Sequence, residues 1–280
     1  MKAICFGAAG GGERLLEEIS RKYEVAAFTD NDARKWGSTC CGIRVLSPEQ
    51  CLNGAEYDYV IITSAPGLES IKKQCLEMGI PENRVISSYV EAPLQSRITF
   101  LKSFTEMYGG DLEGNVAEAG VFQGDFAKEI NRFFPNKKLH LFDTFSGFDK
   151  KDIQKEANMS KAAERDYEYT SVELVMSKMP YPANCVIHKG YFPDTAYDGQ
   201  VEKEAFCFVN LDMDLYEPTY QGLKFFSQRM EKNGIILVHD YFAENFEGPR
   251  KAVQRFMSEK EQKLCVMPIG DGISVALSGF

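Results

Sequence analysis

Several acidic and histidine residues of this 280-residue chain stand in short blocks, each placed directly after an apolar run. Phe206-Cys207-Phe208-Val209-Asn210-Leu211 leads into Asp212-Met213-Asp214-Leu215-Tyr216, and Ile235-Ile236-Leu237-Val238 leads into His239-Asp240-Tyr241. Carboxylates and an imidazole around one point suit either a divalent cation or a general base. Caps for the helices that follow are the plain structural alternative. A third block, Leu141-Phe142-Asp143-Thr144-Phe145-Ser146-Gly147-Phe148, comes about 20 residues after Glu118-Ala119-Gly120-Val121-Phe122-Gln123-Gly124-Asp125,. Gly120 and Gly124 permit a tight turn and close approach of the backbone to a ligand. Asp143 can then accept both ribose hydroxyls of a nucleoside, as the acid at the second strand does in dinucleotide-binding folds. Ordinary turn chemistry competes for all three residues. In His188-Lys189-Gly190-Tyr191-Phe192-Pro193-Asp194-Thr195 the aromatic pair can flank a flat base, with core packing as the alternative.

Such blocks work together only if the strands before them lie side by side in a parallel sheet, where ligands bind at the carboxyl ends. The apolar runs at 116–119, 139–142, 185–188, 206–211 and 235–238 have that character, with helices fitting between most of them. After the fourth run, Pro218 falls in the first turn of a helix, Leu223, Phe226 and Met230 make its apolar stripe, and Gly234 closes it. Leu264 to Pro268, a Gly270-Asp271-Gly272 turn and Ile273 to Leu277 predict a terminal hairpin and hence an antiparallel edge. Ahead of this region lies a smaller alternation. Ala3 to Phe6, a glycine turn from Gly7 to Gly12 and a helix from Glu13 to Ser20 come first, followed by strands at 24–29, 57–63 and 84–87. The pattern pauses at Val90 to Pro93, and a new helix carrying Ile98, Leu101 and Phe104 follows. Domains are therefore expected at 1–92 and 93–280. Residues 149–180, polar and rich in lysine and glutamate, read equally as a mobile lid or as a solvated helical excursion.

Composition narrows the function classes. Apolar residues make up 44% and charged residues 26% of the chain, as in a folded globular protein,. The net charge of −9 is spread over both parts, with 10 basic and 13 acidic residues over 1–92 and 22 basic and 28 acidic over 93–280. Neither part offers the basic face of a nucleic-acid binder or a polybasic membrane anchor. The eight cysteines include no CxxC pair and are expected to be reduced thiols,. Without an apolar leader or bilayer-length run, a cytoplasmic location is expected.

Taken in order and spacing, GNVAEAGVFQGDFA, LHLFDTFSGF, KGYFPDT, FVNLDMDLYEPT and NGIILVHDYF resemble the macrocin O-methyltransferase family of class I S-adenosylmethionine-dependent enzymes. The resemblance covers about residues 95 to 280. It implies that Glu118, Gly120 and Gly124 line the methionine and ribose side of S-adenosyl-L-methionine and that Asp143 holds the ribose. Gly190, Tyr191 and Asp194 would lie near the adenine or the pocket mouth. Asp212 would be a metal ligand and candidate base, with Asp240 a second ligand. Family members usually have two consecutive aspartates where this chain has His239-Asp240, which departs from an oxygen-only Mg²⁺ site. Imidazole suits Mn²⁺ or Zn²⁺ better. Retention of Mg²⁺ with fewer ligands, or a metal-free site with His239 as base, are the other options.

The first 92 residues are similar, more loosely, to small Rossmann-like modules attached to sugar-modifying enzymes of bacterial glycan pathways. That similarity implies a nucleotide held by Gly7, Gly10, Gly12 and Asp30, with a scaffold or dimer surface as the alternative. The expected fold is α/β with two doubly wound domains: the small module and a class I methyltransferase fold whose mostly parallel sheet ends in the antiparallel hairpin. The expected activity is methyl transfer to a hydroxyl of a sugar, glycan or secondary-metabolite precursor, with a divalent metal as an optional aid. The acceptor would be a small-molecule sugar or nucleotide-sugar. A homo-oligomer is compatible with the sequence, whereas nucleic acid and membrane are not expected as partners. The rivals are a nicotinamide-dependent oxidoreductase and a nucleotide-sugar sensor acting through the first module. The oxidoreductase requires a proton relay such as Tyr-x-x-x-Lys near a glycine loop, and the sequence has none there.

Overall fold

The computed structural model describes residues 1–280 except 55, 66, 110, 157–158, 161, 163–165, 244–245 and 260–263. Two compact units divide the chain, Met1–Gln95 and Ser96–Phe280. In the first unit, strands β1 (Lys2–Phe6), β2 (Glu24–Thr29), β3 (Thr39–Cys40), β4 (Ile43–Leu46), β5 (Tyr59–Ile62) and β6 (Val85–Ile86) form one sheet in the order β3-β4-β2-β1-β5-β6. All neighbours are parallel except β3 and β4. The sequence pattern misses that last pair. Each strand is too short to show an alternation, and the turn between them, Cys41 at φ 49° and Gly42 at φ 81°, is marked by a single glycine,.

The second unit holds β7 (Asn115–Ala119), β8 (Leu139–Asp143), β9 (Cys185–Lys189), β10 (Phe206–Leu211), β11 (Met230–Val238), β12 (Cys265–Pro268) and β13 (Val275–Ser278), in the order β12-β13-β11-β10-β7-β8-β9. The five strands β7 to β11 are parallel, and β13 joins β11 antiparallel. Strand order reverses between β7 and β10, which opens a crevice at their carboxyl ends. Every residue of Phe206-Cys207-Phe208-Val209-Asn210-Leu211 is buried, as expected of the central strand of a sheet covered on both faces,. Phe226, Leu223 and Val209 pack on one face, and Phe104, Leu101 and Phe208 on the other.

Two sequence expectations are corrected. The helix after β10 is Tyr216–Ser227, and Met230 and Gly234 belong to β11 instead. Met230 pairs with Phe206 across the sheet, so its apolar side chain serves a strand although its spacing also fits the helix stripe. Nor does a new helix begin after Pro93: one helix, Ser88–Tyr108, runs through it. Pro93 lies near the start, where it forfeits one backbone hydrogen bond, and Leu101 and Phe104 anchor the remainder,.

A buried histidine pair links β8 and β9. His140 Nδ1 lies 3.0 Å from His188 Nε2, and Phe142 stacks on His188 with centroids 4.3 Å apart. Burial, then the neighbouring His188, pushes His140 down to about 4, and burial also lowers His188. A folded state that binds fewer protons than the unfolded chain loses stability as pH falls below the ordinary histidine value towards 4. Thermal melting is expected to show this loss between pH 6.5 and 4.5, at up to about 1.4 kcal/mol per pH unit for each proton. His140→Phe, which keeps a flat ring there, should flatten the dependence; an unchanged slope would remove the pair as its cause.

Candidate active site

The parallel ladders run one residue past several strand ends, and this delivers the chemical groups. Asp212 N–H donates to Ala119 C=O at 2.8 Å, His239 N–H to Leu211 C=O at 2.9 Å, and Gly120 N–H to Phe142 C=O at 2.9 Å. Glu118 and Asn210 are register partners on β7 and β10. Four non-glycine residues with left-handed backbone stand just beyond the same strand ends: Phe122 (φ 47°), Phe145 (φ 52°), Asp214 (φ 59°) and Asp240 (φ 57°). Such conformations cluster where loops are held for a function.

Asp212 is the hub. Its Oδ2 accepts from Arg97 Nη1 at 2.9 Å, and its Oδ1 lies 2.9 Å from His239 Nδ1. The same Nδ1 is 2.9 Å from Asp240 Oδ2. It approaches both carboxylates yet is aligned with neither as a hydrogen bond. Burial works against charge on the imidazole, but Asp212 and then Asp240 outweigh it and raise His239 to about 10. Burial likewise opposes ionisation of Asp212, and His239 with Arg97 overcomes it and holds the carboxyl well below its usual range. Asp214 goes the other way: burial, then the charges of Asp240 and Asp212, keep its proton on. His239 thus stands as a cation between two carboxylates.

Among the described residues, Asp212, His239 and Asp240 bring one donor atom each within 4.8 Å of one another. With the unaligned Nδ1 between two carboxylate oxygens, this mixed nitrogen and oxygen set fits a divalent cation, and one of borderline softness better than Mg²⁺. The crevice also fits a nucleoside donor with a cationic amino-acid end. Glu118 is 2% exposed, and its Oε2 has no hydrogen-bond partner among the described residues.

The other expected residues are placed as follows. Asp143 Oδ2 accepts from Val121 N–H at 2.7 Å and Phe122 N–H at 2.8 Å, and its Oδ1 accepts from Phe145 N–H at 2.7 Å. Much of its acceptor capacity thus holds the glycine loop. Gly120 has φ +85°, and a Cβ there would sit 1.9 Å from Asp212 C=O, so the backbone just past β10 itself requires this glycine. At Gly124 (φ +77°) a Cβ would meet Val175 at 3.0 Å. Gly190 N–H donates to Asp143 C=O at 2.9 Å. Tyr191 O–H donates to Asp152 Oδ1 at 2.7 Å. Asp194 is exposed at the start of a short 3₁₀ turn.

In the first unit the same device recurs: Asp30 Oδ2 accepts from Ala8 N–H and from Lys35 Nζ, each at 2.8 Å. A Cβ on Gly7 would meet Thr63 Oγ1 at 2.9 Å and one on Gly12 would meet Gly7 C=O at 2.4 Å, while Gly10 opens the helix Gly10–Ser20. Packing within the unit therefore accounts for Gly7 and Gly12.

Arg97, Asn210 and Asp214 are the site residues the sequence does not single out. Asp214 alone carries a local signal, as the second acid of Asp212-Met213-Asp214.

One stretch of the 149–180 segment, Tyr167 to Thr170, is docked on the glycine loop. Gln123 Nε2 donates to Tyr169 C=O at 2.9 Å, and Thr170 O–H donates to Phe122 C=O. The Tyr167 ring packs edge-on against Phe122 and Phe148, with centroids 5.2 Å and 5.3 Å apart. Positions 157, 158, 161 and 163–165 of this segment lie outside the described residues. No helix among the described residues is long and apolar enough to cross a membrane.

Comparison with known proteins places this geometry. Residues 95–275 match the family described as Macrocin-O-methyltransferase (TylF), and residues 1–86 match the family described as C2185-like, N-terminal. No curated protein matches the chain. Among solved structures, the fold is similar to that of the O-methyltransferase NovP, with 18% identity and TM-score 0.52 over 65% of this chain and 78% of that one. It is also similar to CalS11, a calicheamicin methyltransferase, with 19% identity and TM-score 0.54 over 76% of this chain and 91% of that one.

Proposed function

Because the chain belongs to the macrocin O-methyltransferase (TylF) family of S-adenosylmethionine-dependent O-methyltransferases, we propose that its acceptor is a hydroxyl of a sugar or glycan precursor. The observation that supports this most is the cluster of Asp212, His239, Asp240 and Asp214 beside the Glu118 and Gly120 crevice. Three carboxyl groups against Arg97 and His239 leave no surplus of positive charge for an anionic group next to the reacting oxygen. A neutral polyhydroxyl compound suits such a place, because its hydroxyls both donate to carboxylates and accept from the guanidinium.

S-adenosylmethionine, when bound, supplies a methyl group on a sulfonium with a good neutral leaving group. Glu118 and the Gly120–Gly124 loop bind its amino-acid and ribose end in this reading, with Asp143 holding the loop and offering its remaining acceptor capacity to the ribose. Gly190, Tyr191 and Asp194 stand on the adenine side. An alcohol is a weak nucleophile at neutral pH, so its proton must leave during attack. Asp212 takes that proton, and Arg97 and His239, each against one of its oxygens, hold the carboxylate in place for the acceptor hydroxyl. A divalent cation would take the place of the imidazole proton, held by Asp212, Asp240 and a neutral His239, and would supply Lewis acidity to the acceptor oxygen. The 167–171 stretch covers the glycine loop and excludes water there.

Calorimetry with S-adenosylhomocysteine, NADH and nucleotide-sugars separates this function from its rivals. S-adenosylhomocysteine is expected to bind, and NADH is not. Binding of the nicotinamide alone would sink the proposal.

A further inference from the structure

Asn210 Nδ2 donates to Glu118 Oε1 at 2.8 Å in the middle of the sheet. Asn210 is 0% and Glu118 2% exposed. The second acceptor on each side chain, Glu118 Oε2 and Asn210 Oδ1, has no hydrogen-bond partner among the described residues. A buried acceptor without a donor is costly, and two on one bonded pair call for compensation by a proton or by a ligand. The charged groups facing Glu118 are Asp212 just past β10, Arg97 on the helix Ser88–Tyr108 and Asp143 at the end of β8. Burial, then the charge of Asp212, pushes the Glu118 carboxyl up to about 8 against Arg97 and Asn210. The free protein therefore carries this group largely protonated at neutral pH.

We propose that binding of the methyl donor is linked to proton release through Glu118: the donor's cationic amino group replaces the carboxyl proton, which passes to solvent. The O–H bond of Glu118 breaks, the carboxylate so formed accepts from the donor's ammonium group, and no other bond changes. Asn210 fixes Oε1 and leaves Oε2 for the exchange. This inference rests on the reading of Glu118 as a donor-binding residue. Since the free state holds more protons than the bound one, affinity must rise with pH and level off above the Glu118 value.

The test is calorimetry of the full chain with S-adenosylhomocysteine in phosphate and in Tris, which differ in ionisation heat. The binding heat is expected to depend on the buffer, reporting release of a substantial fraction of one proton. Affinity should weaken up to about tenfold per pH unit from pH 7.5 to 6.5. Glu118→Gln is expected to bind with no buffer dependence and a flat pH profile. Equal wild-type heats in the two buffers would overturn the inference while leaving the donor site standing. Proton release persisting in the variant would overturn the assignment to Glu118. Absence of any S-adenosylhomocysteine binding would overturn the donor reading and the inference with it. The wild-type comparison decides the linkage even where the variant does not fold.

Discussion

Asp212→Ala is expected to lower methyl transfer by about three orders of magnitude, the range of a lost general base, while S-adenosylhomocysteine still binds. Asp212 shares both carboxylate oxygens, one with Arg97 and one with His239. Its removal takes away the proton acceptor and also the anion that holds these two cations together. Glu118 and Asp143, to which we assign the donor, sit on β7 and β8 and keep their own partners. The measurement is turnover of S-adenosylmethionine against a panel of sugars and nucleotide-sugars, paired with calorimetry. Asp212→Asn, close in shape but uncharged, should be as inactive as the alanine variant. A variant that loses donor binding along with turnover would place Asp212 in the donor site and end its assignment as base.

Gly120→Ala is expected to destabilise the second unit by roughly 3 to 5 kcal/mol, among the larger effects of single substitutions. The added Cβ would stand 1.9 Å from the Asp212 carbonyl oxygen and 2.5 Å from its carbon, at φ +85°. The collision is with backbone, so no side chain can turn aside, and relief means parting β7 from β10 at the hydrogen bond between Asp212 and Ala119. Gly270→Ala is the control. Its φ of +89° is equally left-handed, but nothing lies within 4 Å, so a loss of only about 1 kcal/mol is expected from backbone strain. Urea unfolding followed by circular dichroism compares the two. Equal midpoints would show that Gly120 is not pinned by the neighbouring strand.

Together these expectations separate two demands made on one glycine loop. In sequence, Gly120 and Gly124 read as room for a ligand. In the fold, Asp212 and the Val175 side chain occupy the space a Cβ would need, so any approach by the donor comes on top of a constraint set by the protein itself. Asp143 behaves alike, since the carboxylate expected to read a ribose already accepts three backbone N–H groups.

Most of the strands and the residues at their carboxyl ends were legible in the sequence, because an apolar run and the polar residue that stops it are local features. Asp143, Asp212, His239 and Asp240 were found that way. What tertiary structure alone decided is which groups face them. Arg97 reaches Asp212 across 115 residues of chain, and Asn210 meets Glu118 across 92. Asn210 is hidden inside an otherwise apolar strand, and Arg97 has the look of any charge on a long helix. The same limit explains Met230, whose spacing fits a helix stripe until pairing with Phe206 claims it for a strand. Periodicity records a residue's own element, whereas charge, proton and cofactor chemistry depend on distances between elements, which only the folded chain sets.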